Sequence, residues 1–388
     1  MKRKQNNRDW GGNRQKASHT EPSMIQQWQM ALMIREDGFI VLDHDVDIPH
    51  FIIEIDDCVQ QVLLGNDSIF ESMPNKPRLP PSICIGKLGR RLIRCFRTDW
   101  ELIRRSYPKH EFGSYIELFF GAVAKSGLTE SDFKADGVDK LKAFLATLRE
   151  DAEASSLKKN IAAQKRAVAG NEASLKSYLH NLFEDYARLL VVRLDLGFSK
   201  ELRKSLGNRD INHEYVQASF ARFLKHLDRK FPSLVGYARK LEYGPVKKYH
   251  FHLLLFFNGS KVREDITLGD MVGKYWEKVT DGNGKFYNCN LKKDEFREKG
   301  TLGVGMIHHS DKDMRKNLER VAMYLVKIDY YVRLCWPPKW KTFTHGLNRA
   351  ANGTKLGRPR GFNRELQEKM DNLNNPIAIF KKSKKRNK

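Results

Sequence analysis

Between Leu189 and Leu334 the chain switches repeatedly between the two hydrophobic periods that distinguish strands from helices. Leu189–Phe198 reads LLVVRLDLGF, β-branched and alternating, as a strand. His213–Phe231 sets Tyr215, Phe220, Phe223, Leu224 and Leu227 at helical spacing and stops at Pro232. Leu234–Tyr243 and Lys248–Phe257 are two further strands, and the turn residues Gly244-Pro245-Val246-Lys247 between them predict a hairpin. Asp265–Val279 reads as a helix, Lys285–Leu291 and Val304–His308 as short strands, and Asp313–Leu334 as a long helix. Strands interleaved with helices around a hairpin predict an α+β fold, an antiparallel sheet layered by helices on one face.

The flanks carry different patterns. Residues 1–22 are polar and basic, and read as a disordered arm. Residues 23–136 form a mainly helical N-terminal domain whose role no motif reveals. Met24–Ile34 looks helical, Phe39–Leu42 and Phe51–Val62 are apolar, Pro77–Pro81 is a break, and Ile83–Phe96 alternates basic with apolar residues. Residues 137–188 read as a helical connector interrupted at Gly170, with Leu175, Leu179, Leu182, Phe183 and Tyr186 at 3-to-4 spacing. Residues 189–335 are the sheet domain, and 336–388 a flexible basic tail; from Lys339 on it holds 14 Lys and Arg against 3 acidic residues.

Charge turns this fold reading toward function. Over 388 residues, 70 Lys and Arg against 47 Asp and Glu leave a net charge of +23, which favours a polyanionic partner. Nucleic acid leads, with ribosomal or membrane-surface association as the other ways to use such charge. The five cysteines are odd in number and never spaced CxxC, which argues against a disulfide framework or zinc ribbon. The start of the chain is basic without a signal peptide's apolar stretch, and no apolar run is long enough to span a bilayer. A cytoplasmic location is expected.

The candidate chemistry sits on the hairpin. His250 and His252 are two apart on a strand, so their side chains share a face and could chelate one divalent ion, while Phe251 anchors the other face. Glu242, at the end of the preceding strand, lies where it could complete a His/His/Glu site suited to Mg²⁺ or Mn²⁺. On the last helix Tyr324 and Lys327 are three apart, on one face. A tyrosine attacking phosphorus must lose a proton that it normally holds to a pKa near 10, and a neighbouring lysine or metal favours that loss. Plain structural roles compete: an HxH pair can simply pack, and Tyr324 can be a core aromatic. Tyr331 is the rival nucleophile, His308-His309 could offer a ligand, and Asp195 could orient a histidine or hydrogen-bond structurally. Arg193, Lys248, Tyr249 and Trp276 are candidates to hold single-stranded DNA. No GxxxxGK[ST] occurs, so unwinding would fall to a host helicase.

The order Glu242-Tyr243-Gly244, Tyr249-His250-Phe251-His252-Leu253-Leu254, then Tyr324-Leu325-Val326-Lys327 resembles the HUH endonucleases, in the Rep-class arrangement with the histidines ahead of the tyrosine. More narrowly, LLVVRLDLGF, KLEYGPVKKYHFHLLLFFNGS and GVGMIHH, within about Tyr178 to Arg333, are similar to the inovirus (filamentous phage) gene 2 type or YagK/YfjJ C-terminal domain family of phages and prophages. The resemblance implies a ferredoxin-like sheet and rolling-circle replication initiation. It would make His250, His252 and Glu242 the metal ligands, Tyr324 the single catalytic tyrosine and Lys327 its partner. Origin DNA would be nicked through a 5′-phosphotyrosine intermediate, leaving a 3′-OH primer. A single-tyrosine transposase, a mobilisation relaxase and a non-catalytic prophage DNA-binding regulator are the alternatives.

Overall fold

The computed structural model describes residues 48–65, 69–72, 83–133, 137–206, 211–244 and 247–346. The arm at 1–22, the segments Met24–Ile34, Phe39–Leu42 and Pro77–Pro81, the turn residues Pro245 and Val246, and the tail beyond 346 lie outside them.

The N-terminal region comprises α1 (Ile48–Leu63), the ribbon β1 (Phe70–Ser72) and β2 (Ile83–Ile85), α2 (Lys87–Cys95), α3 (Trp100–Ser106), β3 (His110–Phe112), α4 (Ser114–Ser126) and α5 (Gly137–Ala152). The alternating stretch Ile83–Phe96 thus becomes a short strand and a helix. Its apolar positions Leu88, Leu92 and Cys95 recur at helical spacing and are buried. A long helix follows, α6 (Ser155–Asp185), and then β4 (Arg188–Phe198) and the short α7 (Lys200–Ser205). Next come α8 (His213–Lys225), α9 (Leu227–Lys230), β5 (Leu234–Gly244), β6 (Lys248–Asn258), α10 (Asp265–Val279), β7 (Gly284–Asn288), α11 (Lys293–Glu298) and β8 (Gly305–His308). The chain continues through α12 (Lys312–Tyr331), β9 (Val332–Leu334) and β10 (Phe343–His345).

Six antiparallel strands form the main sheet in the order β10-β5-β6-β4-β7, with β8 sharing the free edge of β4 beside β7. Every interior position of β6, from Tyr249 to Phe257, is buried, so the sheet must be covered twice. One face carries Leu189, Val191, Ala238, Leu254 and Phe256 into a core with α6 and α12. The other carries Leu241, Phe251, Leu253 and Leu255 into a core with α8 and α10. The expected single helical layer is therefore corrected to two.

Several boundaries also move: the helix expected over His213–Phe231 breaks at His226, and the strand expected over Lys285–Leu291 ends at Asn288. Gly170 does not interrupt α6, because the helix starts only after a break at Glu153 and Ala154, and Gly170 faces open space where its flexibility costs about 1 kcal/mol at most. The last helix ends at Tyr331 rather than Leu334, since Val332–Leu334 pairs with His110–Phe112 as a strand. Phe343–His345, inside the stretch read as a basic tail, hydrogen-bonds to Ala238–Lys240 and extends the sheet. At Gly236 the register of β5 slips, and a Cβ there would run into the Tyr178 hydroxyl, which accepts a hydrogen bond from the Tyr237 amide at 3.1 Å.

Two substitutions should act with opposite signs. Phe251 is fully buried and stacks on Phe220 with ring centroids 4.4 Å apart. Phe251→Ala should remove about 3–5 kcal/mol of unfolding free energy, whereas Gly170→Ala should add about 0.5–1 kcal/mol. Denaturant titration of both variants beside the parent protein measures each.

Candidate metal centre

Strand register builds the site. Glu242 on β5 faces His250 on β6, and His252 is flanked by Lys240 on β5 and Asp195 on β4. Paired residues share a face, so these five side chains form one patch under α12. The backbone at Lys248 adopts a left-handed φ of 55°, unusual for a residue with a side chain. Its carbonyl oxygen accepts a hydrogen bond from His250 Nδ1 at 2.9 Å. His252 Nδ1 donates to Asp195 Oδ1 at 2.6 Å, and Lys247 Nζ holds the other oxygen of that carboxylate at 3.1 Å.

With both Nδ1 atoms committed, both Nε2 atoms turn to Glu242. They lie 3.2 Å (His252) and 3.9 Å (His250) from its Oε2, while its Oε1 is buried without a hydrogen-bond partner. One ligand atom from each of the three residues falls within 4.8 Å of the others. Two imidazoles and a carboxylate at that spacing could hold a divalent ion with bonds of about 2.0–2.2 Å, and the orphaned oxygen gives the site a reason to do so. The Asp195 contact is the carboxylate–histidine arrangement that fixes a ligand's tautomer.

Electrostatics divides the two histidines. Burial pushes His250 down to about 3, with the neighbouring His252 charge adding to the effect, so this ring is neutral. Burial alone would also lower His252, but Asp195 and then Glu242 outweigh it and raise the ring above its ordinary 6.5. Burial works against the Glu242 carboxylate as well, yet His252 draws it down to about 2. His252 therefore sits between two carboxylates that both favour its protonated form.

Tyr324 meets this cluster from above. Its ring lies 6.0 Å from that of His252, it is only 2% exposed, and its hydroxyl is buried without a hydrogen-bond partner. Burial, and next the charge of Glu242, hold its pKa well above 10. Lys327 is half-exposed and forms no hydrogen bond or ion pair among the described residues. The cation over the phenol is instead Arg193, with its guanidinium carbon 5.9 Å from the ring centre. The rival Tyr331 is placed elsewhere: it is nearly buried and feels Asp56 and Asp57 of α1. His308 bonds to Ser310 at the far end of the sheet.

Trp276, read as a nucleotide contact, is wholly buried, and its Nε1 donates to the Gly197 carbonyl at 2.9 Å. No base can stack on it. Tyr249 is also buried, 4% exposed, and Lys248 lies over the Tyr243 ring.

Two groups escaped the sequence reading. Lys240 is 1% exposed and paired with Asp329 of α12; the period of two along β5 places it on the Glu242 face, a signal present in the sequence. Tyr107 and His110, from the N-terminal region, line a pocket with Lys240, Glu242, His250 and Asp329. Nothing local in their sequence points there, because the pairing of β3 with β9 brings them in. Burial lowers His110 to about 4, against the pull of Glu242.

The molecule is thus an α+β protein whose antiparallel sheet carries a half-buried carboxylate and two buried imidazoles able to hold a metal ion. A model of the YagK/YfjJ C-terminal domain matches residues 150–343, half the chain, and the protein belongs to that family. The match takes in α6 and reaches β10, wider than the 189–335 read from the sequence pattern. No curated protein and no solved structure matches the chain. No helix among the described residues is long and apolar enough to cross a membrane.

Because an incoming cation must displace the Nε2 proton of His252, Mn²⁺ should bind more tightly as pH rises through and above 6.5. Titration calorimetry at pH 6 and pH 8 measures the trend, and flat affinity would contradict it. Asp195→Asn should lower the His252 pKa in an imidazole NMR titration and weaken Mn²⁺ about 10- to 100-fold.

Proposed function

We propose that this protein is a metal-dependent endonuclease and strand transferase of the HUH type, which nicks single-stranded DNA at the replication origin of a mobile element. The observation that carries the reading is Tyr324 poised 6.0 Å from His252, over a His/His/Glu patch that could hold a metal ion. Membership of the YagK/YfjJ family and the +23 charge support it from outside the site.

In this reading the Tyr324 oxygen attacks the scissile phosphorus as the phenol gives up its proton. The bond from phosphorus to the 3′ oxygen breaks, that oxygen leaves as a 3′-OH, and the 5′ phosphate stays on the tyrosine. The reverse attack by a 3′-OH rejoins strands. Glu242, His250 and His252 would hold Mg²⁺ or Mn²⁺, which when bound supplies positive charge to the phosphate and counters the carboxylate that now opposes phenolate formation. Arg193 adds a second cation beside the ring, in the part expected of Lys327. Tyr324 is nearly closed off, so the phosphate must enter by parting the C-terminal end of α12 from the hairpin end of the sheet. The 3′-OH would prime rolling-circle synthesis, with strand separation left to a host helicase.

An orphaned buried hydroxyl costs about 1–3 kcal/mol, a penalty that a purely DNA-binding regulator could shed with a Phe at position 324. Incubation with Mn²⁺ and single-stranded origin DNA labelled on its 3′ side should yield a covalent protein–DNA adduct. Tyr324→Phe should abolish it and His250→Ala should reduce it by at least about 100-fold. An undiminished adduct from Tyr324→Phe would overturn the assignment of the nucleophile.

A further inference from the structure

At the turn end of the β5–β6 hairpin, on the sheet face opposite the two histidines, two half-buried tryptophans and several lysines gather around two buried tyrosines, a cluster that the proposed chemistry does not use. Tyr243 and Tyr249 each adjoin a candidate ligand in sequence and pack edge to face, with ring centroids 4.9 Å apart. Trp336 packs against Tyr249 at 5.5 Å, and His213 of α8 touches both Trp336 and Trp340, at 5.7 and 5.6 Å. Trp336 and Trp340 belong to the segment Trp336-Pro337-Pro338-Lys339-Trp340, which the Cys335 amide pins to the Lys109 carbonyl and the Trp340 amide closes back on Pro337. Both indoles are half-buried, so each keeps surface in solvent.

The charged groups that lie over these rings are all cations, although Glu214 pairs with His213 at 2.9 Å beside them. Lys109 Nζ lies 4.8 and 4.7 Å over the Tyr243 and Tyr249 rings, Lys248 Nζ 5.5 Å over Tyr243, and the exposed Lys339 Nζ 4.3 Å over Trp340. A hydrophobic contact with another protein needs a dry apolar patch, whereas these rings are interleaved with ammonium groups. Ring faces with cations beside them match the alternation of bases and phosphates along an unpaired strand. The two prolines hold the tryptophans on a stiff loop, so little order is lost when a base stacks.

We propose that the Trp336–Trp340 loop is a stacking platform for unpaired bases of single-stranded DNA, with Trp340 as the base-contacting ring and Lys339 as the phosphate contact. This rests on the DNA substrate of the proposed function but not on its chemistry. The platform occupies the role given to Trp276 on sequence grounds, and it sits where a strand crossing the hairpin end would run between it and the metal-binding face.

The test is binding of the full chain to a fluorescein-labelled oligodeoxythymidylate of about 12 nucleotides, read by anisotropy in EDTA so that no cleavage intervenes. Trp340→Ala should weaken binding about 5- to 150-fold, and Trp340→Phe should recover most of the loss. Lys339→Glu, a fully solvent-side change, should weaken binding and flatten its salt dependence. Wild-type affinity in Trp340→Ala, or equal affinity for a duplex of the same length, overturns the proposal. Binding by the parent protein with the expected Trp340 loss, but no tyrosine adduct in Mn²⁺, sinks the nicking reading and leaves the platform. Adduct formation by a protein whose oligonucleotide binding ignores Trp340 does the reverse.

Discussion

His252 has no exposed surface, yet it bridges three strands through its two nitrogens: Asp195 on β4 accepts from one, and Glu242 on β5 lies against the other. Taking an imidazolium and two carboxylates out of water is expensive unless each group finds its partner in good geometry. Sliding β4 or β5 by one residue would move its carboxylate to the opposite face and strand a charge in the core. The interaction that fixes the register of the central sheet is therefore the same one that sets a candidate ligand's orientation. Lys247 on Asp195, Lys240 on Asp329 and the Lys248 carbonyl on His250 extend this polar layer, so the site is part of the core rather than an addition to its surface.

The legible parts of the protein were those governed by local periodicity. Asp265–Val279 was read to the residue, and the two hairpin strands to within one, because alternation and helical spacing are set by burial of one stripe or face. Within the site, the nearness of Glu242 to the start of β6, and so to the two histidines, followed from the hairpin. What stayed hidden depends on long-range packing. The sequence offered Lys327 as the cation for Tyr324 because i and i+3 are neighbours on a helix, but tertiary packing sets Arg193 of β4 over the ring. Trp276 has the right chemistry for a base contact, but α10 lies flat on the sheet and buries it. The strand Phe343–His345 sits in a segment whose basic composition outweighed three residues of β pattern.

Three parts of the chain distant in sequence converge on one end of the sheet. The hairpin brings the candidate ligands, α12 brings Tyr324, and the N-terminal region brings Tyr107, Lys109 and His110. The family match begins at residue 150 and so leaves out the third of these. The N-terminal region is joined to the site by more than proximity: its α1 residue Gln60 donates to the Tyr330 hydroxyl at 3.2 Å, one residue before the end of α12. That bond ties the N-terminal region directly to the helix that holds Tyr324.

The pairing of β3 with β9 has a consequence for how the molecule is made. Arg333 of β9 reaches Glu111 of β3 across 222 residues of chain, and the Gly113 amide beyond β3 donates to the Tyr331 carbonyl at 2.7 Å. During synthesis the N-terminal segment emerges first, but the strand that satisfies its edge emerges only after the whole sheet domain. Closing a loop of that length is slow, and it comes late. The pocket beneath Tyr107 and His110 is completed only when the final strands are in place, so a ribosome-bound or truncated chain carries the histidines without the surroundings that tune them.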